Sequence, residues 1–287
     1  MSASERGFRL LVMDVDGTLV NDTREIPRDN LAAVERLQSA GILCSLATGR
    51  SWQSARPYIE QLGLRGPSIL YNGTQIVTSS GTVLHQQVLA PTAAVPALAR
   101  GRQHGFTAFL YYRDEILVET ISTVVSDQSA KDGVACTAAG DLVGYVEQYP
   151  SHTLTKILLV GTDRGACELH RLLTDQLGGD ATVIQSETNY VEVLPAGSGK
   201  DQALRLLCDH LSIPLGQTAA IGDNLNDLAM LQIAGLGAAP ANAHRDVRLC
   251  ARYVCARDNN AGAVAELAEL LLSEDGWHTP PAATREP

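Results

Sequence analysis

Residues 8–20, FRLLVMDVDGTLV, constrain this chain more than any other stretch. Phe8 and Leu10–Met13 form an apolar run too continuous for a half-exposed element, which predicts a buried strand of a parallel sheet. The run stops at Asp14-Val15-Asp16-Gly17. Residues two apart in extended backbone share a side, so Asp14 and Asp16 would place two carboxylates together where the strand gives out. Like charges that close repel unless a cation sits between them. A hard divalent cation is the natural neutraliser, and Mg²⁺ the natural candidate at a phosphate site. Gly17 permits a sharp turn that a Cβ would oppose. A calcium loop fails on spacing: Glu25 falls at its last position, but Leu19 stands where the loop needs glycine. An ordinary acidic turn stays open on this stretch alone.

Length and charge narrow the partners. At 287 residues the chain suggests roughly two domains, and 45% hydrophobic content suffices for a sizeable core. A formal net charge of −10 argues against nucleic acid. An anionic small molecule would then need cations concentrated locally, by a metal and a few Lys or Arg. No apolar run approaches the roughly 18 residues of a membrane span. The N-terminus lacks the layout of a signal peptide. The six cysteines (Cys44, Cys136, Cys167, Cys208, Cys250, Cys255) form no C-x-x-C pair and complete no zinc pattern. They read mostly as buried free thiols, which suits a reducing, cytoplasmic setting.

In chain order, a helix is expected over 30–41, a buried strand over 42–47, a helix over 51–62 and a third strand over 67–70. This β-α-β-α-β pattern predicts an α/β fold, a Rossmann-like doubly wound parallel sheet with its site at the strands' carboxyl ends. From about residue 90 the texture changes to hairpins with helices between them. That predicts an inserted α+β module over 90–187, flanked by a discontinuous core over 1–89 and 188–287. Residues 273–287 read as a tail.

Four loops then stand out, each after a strand or opening a helix. Asp14-Val15-Asp16 is the first. Thr48-Gly49-Arg50 sits at a strand-to-helix junction, where backbone N–H groups and the helix dipole favour an anion; Thr48 or Ser51 could equally be a simple helix cap. Lys200 opens a helix, where a cation is unfavourable unless it answers a nearby anion. The GSGK before it is no P-loop, since Leu194 and Asp201 occupy the positions that need Gly and a hydroxyl. Asp223, Asn226 and Asp227 follow an apolar strand and could otherwise be a capped turn. Converging at one sheet edge, these groups make coherent phosphoryl-transfer chemistry. A carboxylate takes up the phosphoryl group. A lysine, a hydroxyl, backbone N–H groups and Mg²⁺ neutralise its oxygens. A second carboxyl handles the proton. Arg50 and Asn72, on core loops, would lie beside the phosphate.

DVDGTL at 14–19, ATGR at 47–50, Lys200 and GDNLND at 222–227 resemble the four motifs of haloacid dehalogenase-like phosphatases. The insert after the second motif, with YNG at 71–73 and VEVLPAGSGK at 191–200, resembles the Cof-type subfamily, subclass IIB. The resemblance spans about residues 8 to 272 and implies roles residue by residue. Asp14 matches the nucleophile and a Mg²⁺ ligand. Asp16 matches the general acid/base, with its backbone carbonyl on the metal. Thr48 with Gly49 matches the phosphate-binding hydroxyl loop, and Lys200 the phosphate-binding lysine. Asp223 matches the metal carboxylate, Asn226 a substrate-phosphate contact, and Asp227 a metal-supporting acid. The insert would be a cap that closes over the site, with Tyr111, Arg113, Glu187 and Asn189 facing the leaving group. The chain departs from the family at 237–243, GAAPANA, and at 259–262, NNAG. Val15 also occurs in related phosphomannomutases, so it does not separate hydrolase from mutase. The implied activity is Mg²⁺-dependent hydrolysis of a small phosphomonoester such as a sugar phosphate. A phosphomutase and a sugar-phosphate-binding regulator with vestigial catalysis are the alternatives.

Overall fold

The computed structural model describes residues 7–112, 115–151 and 153–273. Most of the expected tail over 273–287, and Arg113, lie outside the described residues.

Leu10–Met13 is an inner strand of a five-stranded parallel sheet, paired on both sides. Leu43–Leu46 pairs on one side of it. Thr218–Ile221 pairs on the other, followed outward by Leu236–Ala239 and Tyr253–Val254. Side chains alternate across a strand, so the apolar run splits between two faces. Leu11 and Met13 pack with Ala33, Val34 and Leu37 of helix Arg28–Ser39 and with Val264 and Leu267 of helix Ala263–Leu272. Leu10 and Val12 pack with Ala203, Leu204 and Leu207 of helix Lys200–Leu211. Both faces are therefore covered, as the unbroken hydrophobicity requires. Each buried Leu, Val or Met among them contributes about 1.5–3 kcal/mol relative to exposure.

The order of this sheet matters for function. The chain runs outward from Leu10–Met13 to Leu43–Leu46, then returns late to Thr218–Ile221 on the opposite side. The crevice between the carboxyl ends of Leu10–Met13 and Thr218–Ile221 is thus a topological switch point, where open α/β sheets bind ligands.

Ser68–Leu70 does not extend the parallel sheet as a third strand. It leads an antiparallel sheet with Gln75–Val77 and Val83–Gln86, joined to the core by one parallel bridge from Ala47 to Ile69. The three-residue segment finds its closest partner just across the turn at Tyr71–Gly73, and local pairing prevails.

A six-stranded sheet forms the second module. Its order is Ala181–Glu187, Tyr190–Pro195, Leu154–Val160, Thr107–Tyr112, Glu115–Val118 and Cys136–Ala138. Helices Pro91–Gln103, Leu142–Gln148 and Asp163–Leu177 cover one face. Tyr190–Pro195 is buried throughout and pairs on both sides, so this sheet continues past the expected boundary at 187 to Pro195. Cys136–Ala138 has no counterpart in the sequence reading. It is a short edge strand, half-buried at one end and exposed at the other, without the alternation that marks a strand.

Candidate active site

Asp14 sits one residue past Leu10–Met13 and is 6% exposed. Its N–H donates to the Ile221 carbonyl at 2.9 Å, which ties it to the neighbouring strand. Lys200 Nζ donates to Asp14 Oδ1 and to Asp227 Oδ1, each at 2.6 Å. The cation at the helix start therefore does answer nearby anions. Burial alone would push the Lys200 ammonium down, but Asp14 and Asp227 hold it well above the usual lysine value. The other Asp227 oxygen accepts the N–H groups of Asp223 and Asn224, at 3.1 Å each. Asp227 is fully buried and spans the turn and the lysine at once. Asn224, not Asp223 or Asn226, caps the short helix that follows.

Asp223 comes from the end of Thr218–Ile221 and accepts from the Thr18 hydroxyl at 2.9 Å. Gly17 lies against it, with φ of +77°, and a Cβ there would come within 2.5 Å of Asp223 Oδ2. Asn242, in the 237–243 departure, donates to the Gly17 carbonyl at 2.8 Å. Asn259, in the other departure, donates its side-chain N–H to the Val20 carbonyl at 3.1 Å and its backbone N–H to Asn242 Oδ1 at 3.0 Å. Both divergent segments thus brace the opening loop from outside.

Oxygen atoms of Asp14, Asp223 and Asp227 lie within 4.8 Å of one another. Burial, then the adjacent Asp227 carboxylate, raise Asp223 to about 7. Burial likewise holds Asp14 well above the usual carboxylate range, against the pull of Lys200. Three mutually repelling hard oxygen donors fit a hard divalent cation and suit no soft one.

Asp16 is not part of that cluster. Arg50 grips it in two parallel bonds, Nε to Oδ2 at 2.7 Å and Nη2 to Oδ1 at 2.6 Å. Burial would raise the Asp16 carboxyl, but these bonds hold it below the usual value. Arg50 also donates to Ser54 and lies over the Tyr58 ring, 5.2 Å from its centroid. Ser51 is the cap of helix Trp52–Gln61. Thr48 is not a cap: its hydroxyl accepts the Arg50 N–H at 3.1 Å.

Asn72 lies in the left-handed region, at φ 54°, between Tyr71 at φ 50° and Gly73 at φ 99°. Its Oδ1 accepts from Asn226 at 2.9 Å, and its Nδ2 donates to Glu192 at 3.1 Å. Two adjacent non-glycine residues at positive φ are strained, a condition that persists where the surroundings over-determine it.

One cavity of about 290 Å³ collects these groups. Asp14, Asp16, Thr48, Gly49, Arg50, Asn72, Asp223 and Asn226 line it from the parallel sheet's loops, while Lys200 and Asp227 stand behind Asp14. The six-stranded sheet closes it with Tyr111 and Glu187, while Asn189 does not line it. That sheet also brings residues the sequence reading did not single out: Lys156, Glu192, Tyr190 and, from helix Thr123–Asp132, Gln128, Lys131 and Asp132. Lys156 and Glu192 had a signal, since each is a lone charge inside an otherwise apolar strand.

Comparison with known proteins agrees with this geometry. A family model for haloacid dehalogenase-like hydrolases matches residues 11–267. The HMP-PP phosphatase of Cronobacter sakazakii is 31% identical over 240 residues, covering 82% of this chain and 85% of that protein. A haloacid dehalogenase-like hydrolase from Bacteroides thetaiotaomicron superposes with a TM-score of 0.80 at 28% identity, over 91% of this chain and 98% of that one. A sugar phosphatase of subclass IIB shares the fold, with a TM-score of 0.75 at 20% identity over 91% and 96%.

Proposed function

The chain belongs to the haloacid dehalogenase-like hydrolases and is a phosphatase of that family, and we propose that it hydrolyses a small cytoplasmic phosphomonoester, such as a sugar phosphate, through an aspartyl-phosphate on Asp14 with Mg²⁺ as cofactor. The observation that carries this reading is the Asp14–Lys200–Asp227 chain beside Asp223 at the switch point.

In this reading Asp14 attacks phosphorus and the alcohol leaves. Lys200 holds the nucleophile's Oδ1, so that Oδ2 presents its lone pair. The Thr48 hydroxyl donates to a phosphoryl oxygen as its charge spreads. Asp16, at the cavity wall, supplies the proton to the leaving oxygen; its carboxylate then takes a proton from the water that attacks phosphorus, breaks the Asp14–phosphoryl bond, releases inorganic phosphate and frees Asp14. Asp14 and Asp223, with the Asp16 carbonyl and Asp227 in support, would hold the Mg²⁺. When bound, that ion neutralises phosphoryl charge and lets the crowded carboxylates stay ionised. The six-stranded module acts as a cap that excludes water and contacts the leaving group.

Among the described residues, each of the three cations lining the cavity is matched to a carboxylate: Arg50 to Asp16, Lys131 to Glu187, Lys156 to Glu192. That supports one phosphoryl subsite rather than the two a bisphosphate-dependent mutase needs. The test is phosphate release from an aryl phosphate and a metabolite panel, with Mg²⁺ and with EDTA. We expect turnover that EDTA removes. Asp14→Asn should lower turnover by at least about 10³-fold with an unchanged fold. Turnover retained in Asp14→Asn would refute the reading.

A further inference from the structure

We infer that the Lys156–Glu192 ion pair positions the phosphate loop: it orients the Thr48 hydroxyl for phosphate and so links docking of the six-stranded module to phosphate binding, an inference that rests on the phosphatase reading above.

Both side chains are almost fully buried, 4% and 5% exposed. Lys156 Nζ donates to Glu192 Oε2 at 2.6 Å. It also donates to the Gly49 carbonyl at 3.0 Å, across from one module to the other. The Tyr111 ring lies beneath it, 4.7 Å from its centroid. Three neighbours therefore fix one ammonium group, and its direction toward Gly49 is over-determined.

The consequence follows from peptide planarity. The carbonyl of Gly49 and the N–H of Arg50 belong to one rigid unit and point in opposite directions. Lys156 holds the carbonyl end; the Thr48 hydroxyl receives the N–H end at 3.1 Å. A hydroxyl that accepts from this N–H keeps its own hydrogen to give away. The pinned peptide thus sets Thr48 as a donor toward the cavity it lines. Glu192 has a second grip: it accepts from Asn72 Nδ2, and Asn72 in turn accepts from Asn226. The pair consequently touches two core loops, and a third lies one bond further. If the module swings away, the Gly49 carbonyl loses its partner and the loop loses its alignment. A buried ion pair is weak evidence for stability, so a role in alignment accounts better for two charges kept in apolar strands.

Lys156 and Glu192 are positioning residues, and the test separates alignment from folding. Lys156→Met alone would strand a buried carboxylate and could unfold the protein. The variant is therefore Lys156→Met with Glu192→Gln, made in the wild-type and in the Thr48→Val background. Inorganic phosphate affinity is measured by calorimetry with Mg²⁺ present, and kcat with an aryl phosphate. In the wild-type background both should fall about 10–100-fold, with KM for the aryl group's contacts changed far less. With Thr48 already replaced, the same pair of changes should cost less than about threefold, since both act on one group. Wild-type phosphate affinity in the double variant, or losses that multiply in full with Thr48→Val, would overturn the inference. A wild-type protein that binds phosphate but releases none from esters would defeat the phosphatase reading alone, because the affinity measurements still decide the role of the pair.

Discussion

Arg50 and Asp16 face each other in a two-point ion pair, 2.7 and 2.6 Å, at the mouth of the cavity. The arginine is almost buried, while the aspartate side chain keeps 43% of its exposure. The planar guanidinium aims the Asp16 carboxyl and lowers its pKa, so that it gives up its proton readily and is then a carboxylate ready to accept one. Lysine cannot reproduce a two-point grip. Arg50→Lys should lower kcat/KM by about 10–100-fold. It should also let the Asp16 carboxyl rise from its depressed value, moving to higher pH the acid limb of the kcat profile, where Asp16 must be a base toward the attacking water. An unmoved acid limb would dissociate Arg50 from the proposed acid/base.

Asp223 gives a metal test that needs no turnover. Burial and the Asp227 charge raise its folded pKa to about 7, well above the usual carboxylate range. A raised carboxyl favours the fold below the unfolded value, and that contribution is lost as pH rises toward 7. In metal-free protein, Asp223→Asn should therefore raise the melting temperature at pH 8 and leave it little changed near pH 4. A gain on the order of 2–4 °C per kcal/mol is expected at this chain length. Added Mg²⁺ should stabilise the wild type more than the variant. Equal stabilisation of both would remove Asp223 from the metal site.

Glu266 should behave with the opposite sign. Burial would raise it, but the N–H of Ala256, the Tyr253 hydroxyl and the N–H of Arg257 bring it below 4.5. A depressed carboxyl stabilises above its unfolded value and loses that contribution as pH falls through the folded one. Glu266→Gln should thus be destabilising at pH 7, with the gap narrowing below about pH 4.5. Melting curves at pH 7 and pH 3.5 decide it, and a constant gap would contradict the linkage.

Gly73 sits at φ +99°, and a Cβ there would come 2.2 Å from the Gly199 carbonyl oxygen. The conformational strain alone is worth about 1–3 kcal/mol, and the clash adds to it. Gly73→Ala should lower stability by more than about 2 kcal/mol. Relief by backbone movement would displace Gly199 and Lys200, so turnover should drop out of proportion to the folded fraction. Denaturant unfolding together with activity per folded molecule checks both.

The motif loops were legible because each signal is local. An apolar run ending in Asp14-Val15-Asp16-Gly17 is a strand and its turn within thirteen residues. The same holds for 42–50 and 218–227. The pairing of charges was not legible, because partners are chosen by packing across the chain. Arg50 is a plausible phosphate ligand in sequence, yet folding commits it to Asp16, 34 residues away. Lys156 and Glu192 lie 36 residues apart, and nothing local links either of them to Gly49 or Asn72. Ser68–Leu70 keeps only one parallel bridge to the core sheet and pairs mainly with Gln75–Val77, for a related reason: apolarity marks a strand but not its neighbour.

By itself the sequence determined the kind of chemistry, for the residue types and their positions at strand ends follow from hydrophobic pattern and turn chemistry along short stretches. Only the tertiary structure decided how those residues are held. It set Lys200 between Asp14 and Asp227, turned Arg50 onto Asp16, and brought Lys156 against the Gly49 carbonyl. Those contacts depend on strand order and on two modules meeting at one crevice, and buried charges accept whichever partner the packing leaves within reach.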